Sequence, residues 1–265
     1  MTPDLDNPLM DKKRLFIWSL YDLAHTIVMI VFFLYYSQWL VVDCGVSDFW
    51  YNFTYVISSL LLLLTAPVAA SIADKRKLKM PGLRWVTVLA FVFFLITGGI
   101  AVYAPRFYLL SAVTFSVASY FYLFSYVFYN SLLEDVAGPA HQCIASGWGQ
   151  FGHLLGEVVG ILFALPFVNG KTALLGGASG RTQAFIPATI LFFILALPML
   201  LLKEKSTRVE VKINISEEFK NAWGEFWEMC RAPGLGVFLL SYFFFNDAVI
   251  TFLTTTPSIC RKSTV

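Results

Sequence analysis

The sequence predicts an all-α integral membrane protein, a six-helix bundle followed by a seventh transmembrane helix. Three observations predict it. Of the 265 residues, 58% are hydrophobic and 14% charged, against about 45–50% and about 25% in an ordinary soluble domain. The apolar residues fall into seven runs of roughly 20 residues, the length that crosses a hydrocarbon core. The basic residues gather in the loops of one side. The mean hydropathy of +0.70 agrees. A globule of this size cannot bury such an apolar surplus, which excludes a soluble enzyme, a nucleic-acid binder, a disordered tail and a disulfide scaffold.

The elements follow in order. Residues 1–14 end in Lys12-Lys13-Arg14, a charged start resembling that of a signal peptide. The apolar stretch behind it is too long for a signal core and lacks a small-residue cleavage site, so it is a retained first span. The spans are Leu15 to Val42, Phe53 to Ala73, Trp85 to Ala104, Phe107 to Leu133, Ile144 to Phe167, Ala184 to Leu202 and Leu235 to Thr256. None alternates as a barrel strand would. A continuous apolar run in lipid must satisfy its own backbone, which makes each a helix. Pro67 and Pro166 can kink theirs and free carbonyls. Residues 15–202 thus form the six-helix bundle, 203–234 a linker, 235–256 the seventh span and 257–265 a tail.

The linker carries six basic and six acidic residues. Ile215, Phe219, Ala222, Trp223 and Phe226 share one helical face, and Asn214 followed by Glu217 gives a capping-box start. This predicts a helix along the membrane interface; a solvated loop is the alternative. With the N-terminus inside, 14 of the 19 Lys and Arg residues lie on the inner side, as the positive-inside rule requires. Cys44, Cys143, Cys230 and Cys260 lack metal-ligand or redox spacing. No metal, cofactor or nucleic-acid partner is expected; the expected partners are the bilayer, a small solute and a coupling proton.

The first span carries Leu20-Tyr21-Asp22-Leu23-Ala24 and the seventh Phe245-Asn246-Asp247-Ala248. Each sets an acidic residue after a hydrogen-bonding one, the weak internal symmetry of a repeated transporter half. Residues Ala70-Ser71-Ile72-Ala73-Asp74-Lys75-Arg76-Lys77, between spans two and three, resemble the signature loop of the major facilitator superfamily. More specifically, four segments are similar to the vacuole effluxer-like family: Tyr21-Asp22-Leu23-Ala24-His25, Tyr129-Asn130-Ser131-Leu132-Leu133-Glu134-Asp135, Ser146-Gly147-Trp148-Gly149 and Phe245-Asn246-Asp247. The resemblance implies a twelve-span-like secondary transporter of amino acids or other small solutes, in the cell membrane or a vacuole-like membrane. Six spans, a linker and one more then read as an incomplete transporter. A seven-helix receptor and a non-transporting scaffold are the rivals. An enzyme is not expected, since no Ser/His/Asp cluster or metal-ligand set is present.

Ionisable residues at bilayer depth are costly and mark pathways. Asp22, His25, His153, Glu157 and Asp247 are the candidates, with Asn246 beside the last. Asp22 and His25 share a helical face, either as a cavity pair for a charged solute or proton or as a structural polar contact. His153 and Glu157 lie one turn apart among Gly152, Gly156 and Gly160, whose spacing suits close helix packing. The pair reads as a proton-coupling site or as a hydrogen bond fixing helix register. Ser119, Tyr122, Tyr126 and Tyr129 form a stripe on span four, with Asn130 beside it. Aromatic packing is the first reading of the stripe, a hydroxyl-lined cavity wall the second. Asp74, Lys75 and Arg76 are a gating loop or a positive-inside anchor.

Overall fold

The structure is a computed structural model describing residues 11–76, 78–138, 141–170, 176, 180–203, 215–232, 234–245 and 248. Helix α1 (Lys12–Val31) starts where the Asp11 carboxylate accepts from the Lys13 and Arg14 amides, both at 3.1 Å. This cap satisfies two of the amides a helix start leaves free. Two π-helical stretches, Phe32–Tyr36 and Trp39–Asp43, carry the span on to Asp43. Gly45 closes it with φ of +73°, a left-handed conformation that costs glycine little.

Five more long helices follow: α2 (Asp48–Arg76), α3 (Lys79–Tyr103), α4 (Tyr108–Ser131), α6 (Gln142–Val168) and α7 (Phe185–Leu200). A single turn, α5 (Leu133–Val136), links α4 to α6. Short 3₁₀ turns, Pro105–Phe107 and Gly180–Ala184, lead into α4 and α7. Among the described residues, six helices are therefore long and apolar enough to cross a bilayer. The chain is an all-α, multi-pass integral membrane protein. The first span begins three residues earlier than hydropathy alone suggests, because capped Lys12 and Lys13 extend the helix past the apolar run.

Helix α1 is the most buried span and α2 the least. α1 packs against α6 and α7, α3 against α4 and α7, and α2 mainly against α4. The core is largely aromatic, with Phe32, Phe94, Phe115, Phe185 and Phe192 fully buried. The contact of α1 with α6 is close because glycines line it. A Cβ on Gly152 would lie 2.6 Å from the Ser19 carbonyl oxygen, and one on Gly156 2.7 Å from that of Leu23. The four-residue glycine spacing is thus a packing seam. Ser19 Oγ, freed to approach, donates to the Trp148 carbonyl at 2.7 Å.

Helix ends at one pole are capped by cations. Arg84 donates from Nε to the Leu200 carbonyl and from Nη2 to that of Leu202, both at 2.6 Å. Lys79 donates to the Ser131 carbonyl at 3.0 Å. These are last-turn carbonyls that helices leave unpaired. At the other pole Arg181 meets the Asp43 carboxylate at 3.1 Å.

The linker region holds a helix, α8 (Ile215–Arg231), whose start at Asn214 lies outside the described residues. So do the side chains of Ile215, Ala222 and Phe226. Of the expected apolar face, Phe219 is exposed and Trp223 half-buried. The seventh apolar run is helical over Leu235–Phe245, called α9 here. Asn246 and Asp247 lie outside the described residues, as does most of the run beyond them.

Candidate functional site

Polar residues singled out in the first, fourth and fifth apolar runs meet where α1, α4 and α6 come together. Asp22 stands ten residues into α1 and His153 eleven into α6, about 15 and 17 Å along their axes. Both helices start from the same pole, so the two residues share a level. His153 Nδ1 lies 3.6 Å from Asp22 Oδ1, and His153 Nε2 lies 3.8 Å from Glu157 Oε1. One imidazole therefore stands between two carboxylates, one at each ring nitrogen. The inner carboxylate is secluded and the outer one open, since the Asp22 side chain is 7% exposed and that of Glu157 37%.

The hydrogen bonds fix the tautomer. Thr26 Oγ1 donates to the Asp22 carbonyl at 2.9 Å and also lies 2.8 Å from His153 Nδ1. A hydroxyl has one proton to give. With that proton on the carbonyl, His153 Nδ1 is the donor to Thr26. In a neutral imidazole Nε2 is then the lone pair that faces Glu157. At 3.8 Å the His153–Glu157 approach is an ion-pair distance and too long for a hydrogen bond. The expected register-fixing hydrogen bond within α6 is thus absent from this conformation, and His153 is held by Thr26 instead.

Asp22 and His25 are both buried, and both reach Tyr126. The Tyr126 hydroxyl donates to Asp22 Oδ1 at 3.5 Å, and it lies 3.4 Å from the Tyr122 hydroxyl. His25 stacks on Tyr122 with ring centroids 3.8 Å apart and meets Tyr126 edge-on at 4.4 Å. Ser125 Oγ gives its proton to the Tyr122 carbonyl at 2.7 Å, so His25 Nε2 donates to Ser125 Oγ at 2.6 Å. His25 Nδ1 is buried and has no hydrogen-bond partner among the described residues, as does the Tyr129 hydroxyl. Tyr129 stacks flat on Trp18, centroids 4.4 Å apart, and the Trp18 indole donates to its carbonyl at 3.2 Å.

Tyr129 and Tyr122 pack in the core, while Tyr126 reaches Asp22. Asn130 is exposed at the end of α4 and stands apart from the cluster. Asp74 pairs with Lys79 at 3.2 Å across the short turn to α3. Lys75 pairs with Glu218 of α8, whose other carboxylate oxygen accepts from Ser71. Lys75 and Ser71 hold the Glu218 carboxyl below the usual carboxylate range. Thr26 and Glu218 are contacts that sequence reading missed. An apolar groove of about 930 Å³ lies elsewhere, between α2 and α4, lined by Trp50, Phe53, Ile57, Leu61 and Val113 among others.

The described residues thus form a bundle of six helices long and apolar enough to cross a membrane, with an ionisable cluster where α1 meets α6. The chain is 25% identical, over 270 residues, to the uncharacterized MFS-type transporter YxiO of Bacillus subtilis (strain 168). The match takes in 91% of this chain and 58% of that protein, so the chain spans less than two thirds of its relative. No family model matches. The similarity supports the major facilitator superfamily.

Proposed function

We propose that this chain forms part of a secondary active transporter similar to the vacuole effluxer-like family, moving a small polar solute such as an amino acid. The observation that carries the reading is the Asp22–His153–Glu157 cluster. Ionisable groups at that depth are rare, face the bundle interior or a water-filled cavity and serve ion or substrate pathways. His153 and Glu157 are the proton-coupling pair. The lone pair of neutral His153 and an ionised Glu157 repel, so a proton held by the pair removes the conflict. Loading and release of that proton changes the charge at the α1–α6 seam. Asp22, His25, Tyr122 and Tyr126 line the inward continuation of the path, with Asn130 at its end. Asp74, Lys75 and Arg76 form the gating loop. The N-terminus is cytoplasmic on the positive-inside rule. The α9 helix begins a seventh span, Asn246 and Asp247 are assigned to the path on their residue types alone, and α8 lies along the inner interface.

The test uses the complete protein in liposomes. Glu157→Gln should abolish uptake driven by a pH gradient yet keep solute exchange at equal pH. Loss of both activities together, or of neither, would assign Glu157 a structural role.

A further inference from the structure

We infer that α8 is a strap on the end of α2, fastened by Glu218, and that the strap and the last turns of α2 move as one unit about Pro67. The hydrogen bonds of α2 divide at that proline. Before it, Ser58 donates to the Ser116 carbonyl of α4 at 2.7 Å, and Thr65 meets Tyr120 of α4 at 3.0 Å. After it, Ser71 and Lys75 both turn to Glu218 of α8. Pro67 itself has no amide to give, so the carbonyl one turn earlier loses its helical partner and the helix is weakened there.

The fastening is suited to release. The Glu218 side chain is 10% exposed and that of Lys75 45%. A carboxylate this enclosed is tolerated only while paired. Lys75 stands at the rim, where water reaches it. When α8 lifts, both groups are hydrated; when it docks, both are paired. Asp74 takes no part, since it bonds to Lys79 across the adjoining turn. The strap therefore ties the linker to the end of α2 next to the gating loop, and on the transport reading above it regulates that loop.

Ser71→Cys with Glu218→Cys, in complete protein whose native cysteines are replaced by serine, tests this. Mild oxidation in membranes should link the pair, seen as a disulfide-bonded peptide by mass spectrometry. Solute uptake should fall at least tenfold and return on reduction. Lys75→Glu and Glu218→Lys should each impair uptake, and the two together should restore it. Failure of the disulfide to form would overturn the strap. So would linked protein that transports at the unlinked rate, or charge reversal that does not rescue. Disulfide yield is read without transport, so an inactive unlinked protein would sink the transport reading alone.

Discussion

His153 of α6 sets its Nδ1 nitrogen 3.6 Å from Asp22 Oδ1 of α1 while giving that nitrogen's proton to Thr26 at 2.8 Å. The two side chains therefore lie close enough to couple directly, while Thr26 ties His153 to the Asp22 main-chain carbonyl. Asp22→Asn and His153→Gln should each lower the thermal midpoint of the solubilised protein. The double variant should lose less than the sum, with a coupling of about 0.5–3 kcal/mol, as contacting polar residues show. Strictly additive losses in a double-mutant cycle would show that the pair does not interact.

The glycine seam makes a sharper prediction about packing. Gly152→Ala and Gly156→Ala put a methyl group against the backbone of α1, at 2.6 and 2.7 Å from carbonyl oxygens. Overpacking of this kind costs about 1–3 kcal/mol. Gly147→Ala on the same helix meets nothing within 4 Å and should leave stability unchanged or slightly raised. Thermal melts in detergent compare the three, and equal midpoints would remove the seam from the account.

Arg84 caps α7 with two bonds to carbonyls near the helix end. Hydrogen bonds to charged groups are worth about 1.5–3 kcal/mol each at most. Arg84→Met should therefore destabilise α7 against α3, seen as faster amide exchange over the last turn of α7. Arg84→Lys should recover only part of the loss, because a single ammonium cannot reproduce the planar fork. Full recovery by Lys would mean that charge alone caps the helix.

Docking of α8 should depend on acid. Glu218 faces Lys75 and Ser71 from α2, with Glu217 beside it on α8. Its folded carboxyl titrates below the ordinary value of about 4.3. A depressed carboxyl stabilises the docked state above its undocked pKa, and that contribution is lost as pH falls through the docked value. Amide exchange across α8, corrected for the intrinsic rate, should be slow at neutral pH and rise severalfold below about pH 4. Glu218→Gln should exchange rapidly at every pH. A wild-type profile flat across that range would count against the pairing.

Hydropathy made six spans readable because lipid imposes one solution on a long apolar run. It could not show the two π-helical stretches that carry the first span beyond α1, which leave composition unchanged and only alter which side faces the core. Asp22, His25, His153 and Glu157 were visible as polar residues in apolar surroundings. Their pairing was not, since sequence spacing joins His153 to Glu157 and only the helix packing joins it to Asp22. The glycines of α6 were the one trace of that packing, because they marked a face another helix approaches. Glu218 was hidden among the charges of the linker, where nothing in its neighbours distinguishes it from a solvated glutamate.

The seam between α1 and α6 has a consequence for biosynthesis. Asp22 lies in the first span to emerge, and His153, which faces it, lies in the fifth. At roughly 5–20 residues per second, the roughly 130 residues between them take about 6 to 26 seconds to translate. For that interval the first span waits at the membrane with its carboxylate unmatched, since Tyr126 of α4 and His153 of α6 reach it only after later helices arrive. The nascent chain thus favours holding its first helix beside the insertion machinery until the fifth is delivered, and variants that hasten release of that helix should be cleared by quality control before any defect in the mature protein can be measured.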